Sequence, residues 1–585
     1  MRLTEEVLIQ RNVPAVMRDG TSLMSNVYRP AAEGEYPVLL ARLPYGKDLP
    51  IDTTYLDPLR AVRHGYIVVV QDVRGRYASE GRFTPFVREF EDGYDSVEWA
   101  AKLPGAGGVV GMIGLSYLGK TQWQAAVTQP PSLKSLAPGQ TWGNHLNGVQ
   151  WRGGAGELGL MQYWAQTALA LGILFRKYRE EPEQIEKRLP TLVGSIDTLL
   201  AGGGYDVLPL ADLPDPDDLT PFVRGGFARG VDDDTWDHLN IDDRYDRIET
   251  PTFHIGGWYD CFIGDTLRQY GAMKERAREA GMRPPRLLVG PWTHGSFGST
   301  VGDLDFGIGS SGLFLNYRGD LTDAQLRWFD ASLKGDEGAI EEMPPVQVFV
   351  MGENRWRGYE EWPVPGSHSE RWHLHANGRL SRAKPARSEP DEYDYDPGDP
   401  VPTIGGAILM APIHRPGARD QRKIEDRPDV LLYTSEVLRE DYTVLGAVHA
   451  TLFAATDAPD TDFVVRLVDV YPDGRAIVVT DGVIRASARE SYPAPGVISS
   501  VKPSRIEPGR VYEYCVDLWE TGITFRAGHR IRVEVTSSSF PRWERNPNTG
   551  ESGVNSAHTE VARQRVFHDP EHPSHVTLTV VKEHR

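Results

Sequence analysis

The segment Val109-Val-Gly-Met-Ile-Gly-Leu-Ser-Tyr-Leu-Gly-Lys-Thr-Gln-Trp-Gln-Ala-Ala126 decides the fold. Its first half is a short apolar run of the kind that suits a strand buried on both faces. From about Tyr117 the pattern becomes helical. The junction, Gly114-Leu-Ser116, is a tight strand-to-helix turn, and close neighbours of the serine must be small there. Such a turn lifts a serine hydroxyl above the sheet edge, and the free N–H groups of the following helix face any oxyanion. The usual elbow pattern is Gly-x-Ser-x-Gly. Here Leu118 occupies the second glycine position and Gly119 follows one residue later. Taken alone, a Gly-x-Ser after an apolar run is more often an ordinary strand–helix turn than a nucleophile.

Outward from this point, short apolar runs at Pro37–Arg42 and Tyr66–Gln71 predict further buried strands, and Val7–Val16 and Leu23–Tyr28 predict a hairpin around Asp19-Gly20. Helical patterns at Asp52–His64 and Glu89–Lys102 alternate with them. This order implies right-handed crossovers and a doubly wound α/β sheet. Residues 1–144 are assigned to the first part of an α/β-hydrolase domain. Helices expected at Glu157–Tyr178 and Pro182–Ala201 mark a helical cap inserted at 145–245. The strand rhythm resumes at 252–255 and 286–289, so residues 246–355 complete the hydrolase domain. Beyond 355 many short strands are expected, among them 430–433, 444–454, 462–471, 476–485, 511–518 and 529–536. Residues 356–585 are therefore assigned to an all-β domain, a sandwich or a jelly roll.

A serine nucleophile needs a base, and the base needs an orienting carboxylate. In this fold class they follow in the order serine, acid, histidine. Phe253-His-Ile-Gly-Gly-Trp-Tyr-Asp260 and Leu287-Leu-Val-Gly-Pro-Trp-Thr-His294 each end a few residues past a strand. Asp260 and His294 should thus share one rim with Ser116, since ligands gather outside the carboxyl ends of parallel strands. The plainer readings are a helix N-cap for Asp260, ahead of a helix near 262–272, and a surface histidine for His294. Their joint placement in the right order favours a catalytic triad. His254, within its strand, is a weaker competitor, and His145 and His64 lack a strand-end context.

With 585 residues, two to four domains are expected. The net charge of −19 and a pI near 5.4 argue against nucleic acid or an anionic membrane as partner. The acidic stretch at 211–246 reads as solvated surface. Two cysteines, Cys261 and Cys515, exclude a disulfide framework and give no support to a thiolate zinc site. The N-terminus shows no apolar leader, and the longest apolar run, 168–175, is too short for a bilayer. A cytoplasmic location is the resulting expectation. His568, His572 and His575 are broken up by Pro570 and Pro573 and are expected in a surface loop. Gly105–Gly108 lacks the Lys-Ser/Thr of a phosphate loop and is expected as a loop before a strand.

The runs at 114–119, 257–260 and 290–294 resemble those of the bacterial cocaine esterase-like hydrolases, grouped with X-Pro dipeptidyl peptidases and α-amino acid ester hydrolases. Gln71–Gly81, Val468–Gly474 and Ser537–Gly550 extend the resemblance over nearly the whole chain, and the displaced Gly119 belongs to that group's pattern. The resemblance implies the hydrolase, cap and jelly-roll organisation and the triad Ser116, Asp260 and His294. It implies an oxyanion hole from the Tyr117 N–H and the Tyr45 phenol. It also implies a substrate pocket drawing on Trp151, Trp164 and Phe262, with Leu409 from the β domain as a further contributor. The expected reaction is acyl-ester hydrolysis through an acyl-enzyme, on a small-molecule ester or amide, with no cofactor and no metal. An X-Pro dipeptidyl peptidase or aminoacyl ester or amide hydrolase is the alternative, and a non-catalytic binding protein on a hydrolase fold a remote one. A homodimer is left open.

Overall fold

A computed structural model describes residues 6–49, 55–499 and 502–581. The N-terminal half is built on a ten-stranded sheet. Its strands are β1 (Val7–Val16), β2 (Ser22–Pro30), β3 (Tyr36–Leu43), β4 (Ile67–Asp72), β5 (Ala106–Leu115), β6 (Leu133–Gly139), β7 (Phe253–Tyr259), β8 (Arg286–Thr293), β9 (Val346–Val350) and β10 (Arg355–Tyr359). The spatial order is β1-β2-β4-β3-β5-β6-β7-β8-β9-β10. From β4 to β9 every pairing is parallel, and antiparallel strands close both edges. The central strands are buried along most of their length because helices cover both faces. Those helices are α1 (Pro58–Arg63), α2 (Glu89–Ala100), α3 (Tyr117–Ala126), and, after the cap, α8 (Ile263–Ala280) and α9 (Leu321–Leu333).

Helix α1 starts later than the helix expected from residue 52; residues 52–54 of that expectation lie outside the described residues. Asp57 fixes the start, since its side chain accepts from the Leu59 and Arg60 N–H groups and Pro58 takes the first helical position. The glycine-rich run 105–108, expected as a loop, already enters β5.

The cap helices lie between β6 and β7. Helix α4 (Leu158–Lys177) contains a π-helical stretch, Trp164–Ala170, and α5 (Pro182–Leu200), α6 (Phe222–Arg229) and α7 (Thr235–Leu239) follow. By length and composition α4 could cross a membrane, with a mean hydropathy of 1.3, although the apolar run inside it is short. Its apolarity has a use within the fold, because Leu160, Ala165, Leu169 and Leu174 are all buried.

The C-terminal half is β-rich: β11 (His368–His375), β12 (Arg379–Ser381), β13 (Asp391–Tyr395), β14 (Leu431–Thr434), β15 (Tyr442–Thr456), β16 (Asp462–Val470), β17 (Ala476–Arg485), β18 (Tyr512–Phe525), β19 (Arg530–Thr536), β20 (Ala562–Phe567) and β21 (His575–Val580). They form an 11-stranded sheet, with β18 paired to β15 off the main path. One hydrophobic core runs through this half and into the hydrolase, joining Trp258, Ile263 and Leu267 to Val444, Leu518 and Trp519.

The surface-loop expectation is overturned for His568 and His575, while His572 does lie in the turn between them. His568 is buried just past β20, with Nε2 against Asp391 Oδ2 at 2.9 Å and Nδ1 against Ser388 Oγ at 2.9 Å. His575 opens β21 and is buried, and His572 is half-buried. Pro570 and Pro573 do break the chain, but the break is a turn between two strands that both pair with β15, so the flanking histidines enter the sheet.

Candidate active site

Five side chains of interest stand within two residues of the carboxyl ends of parallel strands. Tyr45 follows β3, Ser116 follows β5, Gln140 follows β6, Asp260 follows β7 and His294 follows β8. The parallel sheet therefore gathers on one rim residues spread over 250 positions of sequence.

Ser116 occupies φ 60°, ψ −122°, a conformation that L residues rarely adopt and that persists only where the surroundings enforce it. Two glycines make that possible. Gly114 has φ +122°, and a Cβ there would lie 2.4 Å from the Leu118 Cβ. Leu118 thus fills the space that Gly114 leaves. A Cβ on Gly119 would lie 2.5 Å from the Thr141 Cβ. The displaced glycine of the elbow is required by the close approach of α3 to the segment after β6.

His294 Nε2 lies 3.0 Å from Ser116 Oγ, and its Nδ1 lies 2.7 Å from Asp260 Oδ1. Asp260 is fully buried. It does not cap α8 through its side chain, whose first turn instead uses the Asp260 carbonyl. Cys261 Sγ sits 3.8 Å from Asp260 Oδ1, and burial pushes its thiol well above the usual range, so it is a neutral S–H neighbour. Among the described residues, Asp260, Cys261 and His294 are the one trio whose donor atoms approach closely enough to share a metal. That trio coincides with the hydrogen-bonded chain to Ser116.

Two supporting residues were not legible beforehand. Gln140 donates from Nε2 to the Thr293 carbonyl at 3.0 Å and accepts the Gly295 N–H at 2.7 Å, bracketing His294 on both sides. Its signal in the sequence was the strand run 133–139 just before it. Phe86 is the second, stacking on Tyr117 at 4.7 Å and on Trp164 at 5.8 Å.

The Tyr45 hydroxyl accepts from Trp164 Nε1 at 3.0 Å, and its ring packs edge-on against Tyr117 at 6.4 Å. The Tyr117 N–H is the first of α3 and has no intrahelical partner. The Tyr117 phenol points elsewhere, donating to Glu89 Oε1 at 2.8 Å, and Glu89 in turn pairs with Arg42 at 2.9 Å. Phe262 meets the His294 ring edge-to-face at 5.2 Å and Trp142 at 4.7 Å. Trp164 therefore lies beside Tyr45, and Phe262 beside His294. Trp151 is buried against Phe227 at 5.9 Å, and Leu409 packs partly buried on the same core.

An α/β-hydrolase sheet that carries a serine elbow with a histidine and a buried carboxylate on one rim belongs to the serine hydrolases, and this chain is a serine ester hydrolase. Residues 19–296 match the family described as X-Pro dipeptidyl-peptidase (S15 family), and residues 338–577 match the X-Pro dipeptidyl-peptidase C-terminal non-catalytic domain. The cocaine esterase of Rhodococcus sp. (strain MB1 Bresler) is 37% identical over 98% of this chain and 99% of its own. The chain belongs to this cocaine esterase and S15 family. An α-amino acid ester hydrolase structure is 25% identical, with a TM-score of 0.76 over 99% of this chain and 98% of that one. An aminopeptidase from a marine sediment Thaumarchaeota archaeon shares the fold at 24% identity, with a TM-score of 0.77 over 98% and 97% of the two chains.

Proposed function

We propose that the chain hydrolyses carboxylic esters of small aromatic or medium-sized acyl groups through an acyl-enzyme on Ser116. The continuous chain Ser116 Oγ, His294, Asp260, with contacts of 3.0 and 2.7 Å, carries this reading. Ser116 attacks the acyl carbon and His294 Nε2 takes its proton. Asp260 holds the Nδ1–H tautomer and stabilises the imidazolium as it forms. The Tyr117 N–H and the Tyr45 hydroxyl receive the oxyanion. The Trp164 N–H on the Tyr45 oxygen polarises that hydroxyl and makes it a stronger donor. His294 then returns its proton to the leaving alkoxide, and water, deprotonated by the same imidazole, releases the acid. The rings of Phe262, Trp142 and Trp164 beside these groups favour a flat apolar acyl group.

Ester over aminoacyl chemistry is supported by the pairing of three acids in and beside the cap, Asp242, Asp215 and Asp265. Binding a substrate ammonium needs an uncompensated carboxylate cluster. In the acidic stretch of the cap, Asp242 pairs with Arg268 at 3.2 Å and accepts from Asn144 at 2.8 Å, and Asp215 pairs with Arg224 at 3.4 Å. Asp265, opposite Asp242, is held by the same Arg268. Ser116→Ala should abolish both turnover of a 4-nitrophenyl acyl ester and fluorophosphonate labelling, with the fold intact by circular dichroism. Retained turnover would remove Ser116 from the mechanism. An aminoacyl-Pro anilide cleaved faster than the ester would reassign the substrate class to the peptidases.

A further inference from the structure

Beside the cap lies a cavity of 680 Å³ that none of Ser116, Asp260 and His294 lines. It is walled by Phe83–Phe86 of the hydrolase, Met161 of α4, Phe222 of α6, and Trp236 and Leu239 of α7. Phe86 links this cavity to the rim, since it lines the cavity and its ring also stacks on Trp164.

Three features set the cavity apart from a packing defect. The first is its buried end, where His145 and Gln150, each 3% exposed, carry Nε2 atoms without a hydrogen-bond partner. His145 Nδ1 faces Asn240 Oδ1 at 3.3 Å, so that nitrogen carries the ring hydrogen and Nε2 is an acceptor. Burial and the neighbouring Lys120 hold the imidazole neutral. Gln150 Nε2 is a donor. Buried polar atoms left unmatched in this way are rare and call for a partner. The second feature is the mouth, which collects Arg82, Arg176, Lys177 and Arg229 in a chain of net charge −19. Among the described residues none of these four makes an ion pair. Arg176 donates to the Tyr77 and Gly81 carbonyls, Lys177 to the Asp217 carbonyl and Arg229 to the Gly225 carbonyl. The one acid at the rim, Asp218, is already matched by Arg224 at 2.7 Å. The third is the aromatic and aliphatic wall between these two ends.

We propose that this cavity is a second ligand site, separate from the catalytic rim, for an amphipathic carboxylate. The apolar body fills the aromatic interior, the carboxylate meets Arg82 and Arg229 at the mouth, and a hydroxyl at the far end donates to His145 Nε2 and accepts from Gln150 Nε2. The site does not depend on the reaction assigned to Ser116.

The test uses the full chain carrying Ser116→Ala and three probes titrated by calorimetry. These are 4-(4-hydroxyphenyl)butanoate, the same acid without its hydroxyl, and the hydroxylated alcohol without its carboxylate. The hydroxy acid should bind saturably at one site and more tightly than either analogue. Its affinity should be unchanged when an uncleaved aryl ester is present in excess. Arg82→Gln with Arg229→Gln should weaken both acids by about tenfold, in line with two partly exposed charge contacts, and leave the alcohol unaffected. Gly225→Leu should weaken all three, because a side chain there has only Arg229 Nη1 within reach, at 3.8 Å, and projects into the mouth. Neither change should alter fluorophosphonate labelling when placed in the Ser116 chain. Absence of saturable binding at millimolar probe, full displacement by the aryl ester, or equal loss of acid and alcohol in the arginine variant would each overturn the proposal.

Discussion

At the scale of single residues, the proposed triad has a glutamine that holds His294 from both sides. His294 is the first residue past β8, and nothing in that strand fixes its backbone on both sides. Gln140 does so, through the Thr293 carbonyl and the Gly295 N–H. Gln140 itself sits at φ 38°, anchored by its N–H to the Ile255 carbonyl at 2.7 Å. Gln140→Leu removes the bracket and keeps all three proton-transfer side chains, but frees the His294 backbone to shift. A displacement of about 1 Å in such a base costs about 100-fold in rate. We expect kcat on a 4-nitrophenyl ester to fall by that order with little change in KM and a melting temperature lowered by no more than a few degrees. A rise in KM alone would show that Gln140 shapes the pocket and does not position the base. The convergence of Ser116, Asp260 and His294 was legible in the sequence because each ends a strand in the order the fold demands. Gln140 was not, because the strand before it, Leu-Lys-Ser-Leu-Ala-Pro-Gly, carries a lysine and a proline that blur its apolar run.

At the scale of elements, α3 ties Ser116 to the cap. Lys120 is completely buried one turn after Ser116, and its ammonium donates to the Gly143 carbonyl at 2.9 Å and the Leu239 carbonyl at 2.7 Å. Burial draws its pKa from 10.5 down to about 7, against the opposing pull of Asp242 and Asp265. Below about pH 7 the folded and unfolded chains both hold this proton, and the burial penalty is borne in full. Between pH 7 and 10.5 the unfolded lysine keeps a proton that the folded one has released, so stability climbs with pH. The slope from this group approaches about 1.4 kcal/mol per pH unit. Denaturation by urea from pH 7 to 9 should show that climb in the wild type and a flatter profile in Lys120→Met. Parallel profiles would mean that Lys120 stays charged in the fold. Element prediction itself succeeded where burial was two-sided, as in β17, and where a turn was marked, as at Asp19-Gly20 between the exposed edge strand β1 and β2. It missed β13 and β20, which form an edge pair with outward charges, Glu392 against Arg565 at 3.0 Å and Asp394 against Arg563 at 2.9 Å. A strand whose outer face is all charge carries too few apolar residues to announce itself, and it fixes the edge against further pairing.

At the scale of the molecule, the β-rich half is part of the hydrolase's own core. Trp519, held at φ 63° within β18, is the hinge of that junction. Its indole fills space that the hydrolase leaves by using Gly264, where a Cβ would lie 2.3 Å from Trp519 Cδ1, and Gly148, where it would lie 3.0 Å from the ring. Its Nε1 donates to Asn147 at 3.2 Å, and the buried Arg152 guanidinium lies 3.5 Å over its face. Arg152 has few compensations: Asp481 is 3.9 Å away, and burial together with Arg542 draws its pKa down to about 10. Trp519→Ala would open a cavity between the two halves and strip the aromatic face from that cation, a loss of about 3–5 kcal/mol. Because one core crosses the junction, the wild-type chain should melt in a single calorimetric transition, and Trp519→Ala should lower that transition by a few degrees. Two separate wild-type transitions would show that the shared core does not couple the halves. A variant that loses only the later of two transitions would place Trp519 in the β-rich half alone.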